Sequence, residues 1–235
     1  YKLYKLYKLY KLYKLYKLHK LFRFKQFSVN DDHSSMKVGT DAVLLGAFAN
    51  ATDAAPQHIL DIGTGCGLIA LMLAQRFPNA LIDAIDLDAD SILQAQDNFA
   101  ASPWSSRLQA IHTPLQSHTS PTPYQLIVSN PPYFTHSLHS PNPRRTQARH
   151  NDSLPFADLD THTHRLLSPD GTLVIILPHT EAQQFQSIAN PHLHLIERIS
   201  IAKRDILFFS TQPRPLITRQ YTLAETQPFT QDFYL

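Results

Sequence analysis

From His58 onward the chain alternates between two apolar patterns. Short apolar runs, "HILDIG" (58–63), "LIDAID" (81–86), "RLQAIH" (107–112), "QLIVSN" (125–130) and "TLVIILP" (172–178), read as strands. Between them lie longer segments whose apolar positions recur about every three or four residues. "GLIALMLAQRF" (67–77), with Leu68, Leu71, Met72 and Ala74, "ADSILQAQDNFAA" (89–101) and "LPFADLDTHTHRLL" (154–167) read as helices. A loop carrying Pro114, Pro121 and Pro123 stands where a helix would join the third and fourth strands. Ser168–Gly171 predicts a turn, and a helix is expected near 180–189. "HLHLIERISI" (192–201) and "DILFFST" (205–211) then lie close enough together to predict an antiparallel hairpin. Repeated β-α units with continuous apolar strands imply an α/β fold, its parallel sheet covered by helices on both faces. Ligands of such sheets bind beyond the carboxyl ends of the strands, near the point where strand order reverses.

The length of 235 residues suits one such domain with a full core. The single cysteine, Cys66, excludes an intrachain disulfide and fits a reducing cytosol, so a cytoplasmic location is expected. No apolar run approaches the roughly 20 residues of a membrane span. The N-terminus has a lysine at every third position and no apolar stretch of the signal-peptide kind, so no membrane role is expected. The formal net charge of +2 conceals an asymmetry. Residues 1–18 are six copies of Tyr-Lys-Leu, and residues 19–235 hold 15 Lys and Arg against 19 Asp and Glu, a net of −4. A polyanionic partner must therefore meet a local basic patch. The repeat fits neither a strand period nor a helix period. It reads as low-complexity sequence at 1–21 outside the fold, with 22–235 a single domain; the alternative is a basic arm whose Lys neutralise RNA phosphates and whose Tyr stack on bases.

The first strand runs into "DIGTGCG", Asp61 to Gly67. Gly63, Gly65 and Gly67 let the backbone turn tightly and approach a ligand. The spacing is G-x-G-x-G rather than the G-x-G-x-x-G of a dinucleotide loop. Asp61 at its mouth disfavours a pyrophosphate and favours a cation. S-adenosylmethionine fits, with a sulfonium, an ammonium and no phosphate. Asp86 ends the second strand 19 residues past Gly67, where a carboxylate can accept hydrogen bonds from ribose hydroxyls, and Leu87 beside it can pack on adenine. Cys66 reads as a small apolar filler.

The fourth strand ends in "SNPPYF" (129–134). Two prolines stop strand pairing and hold their neighbours in a stiff frame. Asn130 offers a side-chain carbonyl and Pro131 a backbone carbonyl. Aimed at the two hydrogens of an aromatic amine, they draw its nitrogen towards tetrahedral geometry and free the lone pair for attack on a methyl group. Tyr133 supplies a stacking face for a base out of its stack, flanked by Pro132 and Phe134 on the substrate side. Such transfer is largely positional and needs no metal. The histidines do not suggest one either: His162 and His164 are spaced i, i+2, which is not one helix face, and no Cys or carboxylate cluster completes a shell.

With these motifs the sequence resembles the class I S-adenosylmethionine-dependent methyltransferases of the Asn-Pro-Pro-Tyr type. That resemblance implies a Rossmann-like, seven-stranded, mostly parallel sheet whose last strand is antiparallel. "FKQFSVNDDHSSMKVGTDAVLLGAFA" (24–49), with "MKVGTDAVLLGA" (36–47) at its heart, is similar to the segment before the cofactor loop in bacterial tRNA (adenine-N(6))-methyltransferases. These act on a valine tRNA at the adenosine 3′ of the anticodon. The resemblance implies that Lys37, Gly39, Thr40 and Asp41 belong to the cofactor pocket. "PRRTQARH" (143–150) and "QDFYL" (231–235) are also similar to this family, and Arg144, Arg145 and Arg149 become candidates for tRNA phosphates. Many relatives place an Asp after the third strand, against the cofactor adenine. Here the register reads His112-Thr113-Pro114, leaving that contact to backbone or to Thr113.

The resulting expectation is methyl transfer from S-adenosylmethionine to an adenine amine of tRNA, with tRNA as partner and no obligate protein partner. Methylation of a protein glutamine amide, or of DNA adenine or rRNA, is the nearest alternative. Only about 20 unpatterned residues precede the match, and there is no room for a target-recognition domain, which disfavours the glutamine and DNA enzymes. A nicotinamide oxidoreductase is disfavoured by the glycine spacing and Asp61. A non-catalytic RNA-binding protein retaining the fold is a further alternative, which the intact Asn130 and Tyr133 oppose.

Overall fold

The computed structural model describes residues 21–132, 154–189 and 193–233. Residues 1–20, which include the Tyr-Lys-Leu repeat, lie outside them, as do Tyr133, Phe134, Arg144, Arg145 and Arg149.

Eight strands form the main sheet. Taken along the chain, they and the helices are α1 (Thr40–Phe48), β3 (His58–Ile62), α2 (Leu68–Arg76), β4 (Leu81–Asp86), α3 (Ala89–Ala100), β5 (Leu108–His112), β6 (Tyr124–Ser129), α4 (Phe156–Leu166), β7 (Leu167–Pro178), α5 (His179–Ile188), β8 (His194–Ile201), β9 (Arg204–Ser210), β10 (Ile217–Tyr221) and the one-turn α6 (Gln227–Thr230). A two-stranded ribbon, β1 (Phe22–Arg23) and β2 (Ser28–Val29), precedes them. The sheet order is β10-β8-β9-β7-β6-β3-β4-β5. All neighbours are parallel except β7–β9 and β8–β9, so β9 alone runs backwards.

The apolar runs form strands because both of their faces are buried. Along β7, Val174 and Ile176 enter one core while Leu173, Ile175 and Leu177 enter the other. The first core is covered by α1, α2 and α3, and the second by α4 and α5, through Leu159, Leu166, Ala182 and Phe185. The segment with three prolines makes no helix; Ser117 and His118 N–H instead bond the Pro114 carbonyl in a turn. The predicted hairpin is β8–β9, closed by Ala202 and Lys203, with Ala202 at φ 51.

Two features differ from the sequence reading. Ser168–Gly171 is not a turn ahead of β7 but lies within it, bulged out: Tyr124 pairs Leu167 and Leu126 pairs Thr172. An eighth strand, β10, adds to the seven expected. Its residues are almost all exposed, so no apolar alternation marked it.

Strand order reverses between β3 and β6. These two are adjacent and parallel, with Ile62 opposite Ser129, and the Ser129 hydroxyl donates to the Ile62 carbonyl at 3.0 Å. Gly63 and Asn130 are therefore the next residues on neighbouring strands, about 5 Å apart in the pairing direction.

Candidate active site at the strand switch point

The glycine loop folds back over the end of β4. The N–H groups of Gly63 and Thr64 both donate to the Ile85 carbonyl, at 2.9 and 3.0 Å. Gly63, Gly65 and Gly67 sit at φ 71, 56 and 83, a region L side chains rarely adopt. At Gly67, which begins α2, a Cβ would also lie 2.5 Å from Phe99 Cε1. Around a Cβ at Gly63 there is open space, so this stretch of backbone is the part of the loop a ligand can approach.

Asp61 is fully buried beneath the loop. Burial pushes its carboxyl up to about 7, against the opposing hydrogen bonds of the Thr64 hydroxyl and the Ala70 amide. Thr64 donates to Oδ2 at 2.7 Å, while Oδ1 has no hydrogen-bond partner among the described residues. Asp86 accepts from the N–H of Gly65 at 2.8 Å and of Asp88 at 2.9 Å, and burial raises its pKa as well. Asp86 thus shapes the loop through backbone hydrogen bonds. Leu87 beside it is 47% exposed. Thr113 N–H bonds the Asp86 carbonyl at 3.2 Å and its hydroxyl turns to the Pro114 carbonyl, so the β5 end offers no carboxylate.

Asn130 is buried, and its Oδ1 lacks a hydrogen-bond partner among the described residues. Its Nδ2 faces Met36 Sδ at 4.0 Å. Asn130, Met36, Gly63, Gly65 and Cys66 line one narrow cleft of about 20 Å³. Pro131 and Pro132 continue from Asn130, and Tyr133 and Phe134 fall outside the described residues. Cys66 is buried, its thiol pushed up to about 12 by burial, so it is inert filler.

The segment 36–41 divides. Lys37 lines the cleft, but its ammonium is tied to the carbonyls of Asp31 and Asp32. Gly39 is the residue before α1. Thr40 faces a second cleft of about 400 Å³ between α1 and the C-terminal segment, which is larger but has no titratable group in its lining. Asp41 pairs with Arg204 at 2.8 Å, on the β8–β9 side. Sequence reasoning passed over Met36 and Arg204: Met36 stood inside a quoted motif with no role, and Arg204 meets its partner across 163 residues. Among the described residues no group of three His, Cys, Asp or Glu could hold a metal, and no helix is long and apolar enough to cross a membrane.

A doubly wound sheet with one reversed strand, a G-x-G-x-G loop at its switch point and Asn-Pro-Pro on the neighbouring strand end defines the class I methyltransferase fold. Solved structures share it: a predicted O-methyltransferase from Agrobacterium tumefaciens superposes with a TM-score of 0.61 at 16% identity, covering 82% of this chain and 96% of that one. TrmN from Thermus thermophilus gives 0.54 at 21% identity, covering 72% and 47%. The pattern of the methyltransferase small domain family matches residues 33–185, and the chain belongs to that family. Similar proteins named tRNA1(Val) (adenine(37)-N6)-methyltransferase include one from Phocaeicola vulgatus, 50% identical over 73% of each chain. One from Bacteroides thetaiotaomicron is 43% identical over 83% of this chain and 81% of its own.

Proposed function

We propose that this protein transfers a methyl group from S-adenosylmethionine to the exocyclic amine of an adenosine in tRNA, the one 3′ of the anticodon in a valine tRNA. The observation that carries the reading is the buried Oδ1 of Asn130, which has no hydrogen-bond partner among the described residues, one residue beyond the register that aligns β6 with the glycine-loop strand. An orphaned buried acceptor is costly unless a ligand satisfies it. The relatives named above, at 43–50% identity, supply the substrate.

The donor set suits a cationic nucleoside. Asp61 Oδ1 is a second buried oxygen without a hydrogen-bond partner among the described residues, and Lys37, the one cation among the described residues of the cleft lining, has its ammonium engaged with the Asp31 and Asp32 carbonyls. Asp61, Gly63 and Gly65 would hold the cofactor's amino-acid end, and Asp86 with Leu87 its nucleoside. Bound there, S-adenosylmethionine supplies an electrophilic methyl on a sulfonium. Asn130 Oδ1 and the Pro131 carbonyl accept the two amine hydrogens of the target adenine. This localises the nitrogen lone pair and stabilises the positive charge that develops as the N–C bond forms. The amine proton then leaves to solvent, yielding N6-methyladenosine. Tyr133 and Phe134 stack the base, while Pro132 keeps Asn130 from moving, and Arg144, Arg145 and Arg149 meet phosphates.

Incubation with S-adenosylmethionine and unmodified tRNA, read by nucleoside mass spectrometry, tests this. N6-methyladenosine is expected from the parent, and Asn130→Ala should lose about 10²-fold or more in rate. Cofactor binding without any methylated nucleoside would refute the tRNA reading.

A further inference from the structure

Residues 30–38 cross over the glycine loop as a strap between β2 and α1. Ser34 is buried, and its Oγ lies 3.1 Å from where a Cβ on Gly65 would stand, so strap and loop are in direct contact. The strap's first six residues, Asn30 to Ser35, contain no apolar side chain. They are held instead by α3, through three polar side chains at helical spacing that are themselves almost fully buried: Ser91, Gln94 and Asn98. Asn98 Oδ1 accepts from Asn30 N–H at 3.0 Å, Gln94 Oε1 from His33 N–H at 3.3 Å, and Ser91 Oγ from Ser35 N–H at 3.3 Å. Asn98 Nδ2 uses its two hydrogens on two different partners, the Asn30 carbonyl and the Cys66 carbonyl, both at 2.8 Å. One planar amide thus fixes the strap and the glycine loop to each other.

We infer that Ser91, Gln94 and Asn98 are positioning residues of the cofactor pocket, a polar latch on α3 that seats the strap, with Met36, over the glycine loop and opens for cofactor exchange. The inference rests on the reading that this cleft takes S-adenosylmethionine. A strap docked by apolar burial would open rarely. Hydrogen bonds to backbone groups exchange readily for bonds to water, so this docking is firm enough to define the pocket yet reversible. Gln94 and Asn98 bond strap backbone, and Ser91 Oγ also meets the Ser34 and Ser35 hydroxyls at 3.5 Å, so the latch acts on the strap's position and not on cofactor or substrate.

The sole tryptophan, Trp104, follows α3 and packs edge-on against Phe27, just before the strap, at 5.6 Å between ring centres. Its fluorescence therefore follows docking of this N-terminal segment. The experiment is stopped-flow binding and release of S-adenosylmethionine by the full chain, followed by Trp104 emission, in the parent, Gln94→Ala and Asn98→Ala. Methyl-transfer kinetics and thermal melting without cofactor are measured alongside. Gln94→Ala, which loses only a strap bond, is expected to speed cofactor release and raise the cofactor KM by about tenfold, with kcat at saturation retained. Asn98→Ala is expected to do the same and to lower kcat as well, because the loop shifts. Parent-like release and KM in both variants, or a change in melting temperature alone, would overturn the latch while leaving the methyltransferase reading intact. A parent that binds no S-adenosylmethionine would remove that reading, and the latch with it.

Discussion

Asp61 shows how much a single position decides. Its carboxyl is fully buried and pushed up to about 7, whereas the unfolded chain releases that proton near 3.8. The fold therefore holds a proton the unfolded chain has lost between about pH 4 and 7, and this residue's contribution to stability falls as pH rises through that window. A cationic ligand favours the ionised form and reverses the preference. Cofactor affinity should tighten about tenfold per pH unit below 7 and level off above it, as calorimetric titration across pH 6–8.5 would show. Asp61→Asn should bind weakly with no such slope; a persisting slope would place the titrating group elsewhere. Gly67 is constrained by both φ and space. Gly67→Ala should cost roughly 2–4 kcal/mol from left-handed strain and the clash with Phe99, lowering the melting temperature by about 5–15 °C.

Among the elements, the β8–β9 hairpin joins the sheet's antiparallel strand to the site end of the molecule. His179, at the start of α5, meets Asp205 Oδ2 with Nδ1 at 3.0 Å and the Ala202 carbonyl with Nε2 at 3.1 Å. Both partners are acceptors, so the geometry suits the doubly protonated ring. The Asp205 hydrogen bond raises the His179 pKa above its usual 6.5. The stabilisation is complete below the ordinary histidine value and is lost as pH rises through the raised one. His179→Ala should thus lower the melting temperature more at pH 6 than at pH 9; equal losses would refute the clamp. Ala202→Gly, at φ 51, should stabilise by about 1 kcal/mol, a rise of roughly 2–4 °C on melting. The strap is an element of the opposite kind. Nothing local marks Ser91, Gln94 and Asn98 as buried, because polar residues at helical spacing usually form a solvated helix face. Only a second segment lying across them turns that face inward.

For the whole molecule, charge separates the two ends of the chain: the body from residue 19 carries −4 and the repeat six lysines. If the proposed function holds, tRNA would therefore meet local arginines rather than a general basic field. The salt slope of tRNA binding should reflect only a few phosphate contacts. Replacing Arg144, Arg145 or Arg149 singly by Ala should each reduce it by about 0.7–0.9, as filter binding over 50–250 mM salt would show. An unchanged slope in all three would move the phosphate contacts elsewhere. The strands were readable from sequence alone because a buried parallel strand has no polar face, so its apolar run is continuous whatever its neighbours. The glycine loop, Asp86 and Asn-Pro-Pro were readable because backbone conformation and strand ends constrain residue type locally. The eighth strand, the partner of Asp41 and the polar latch were decided by tertiary structure. Each depends on which distant segment arrives at a given surface, as Arg204 reaches Asp41 across 163 positions, and no local pattern encodes that arrival. The sequence by itself determined that the glycine loop and Asn-Pro-Pro end their strands, because glycine and proline constrain the backbone locally; the fold decided that Gly63 and Asn130 stand side by side, because strand order reverses between β3 and β6.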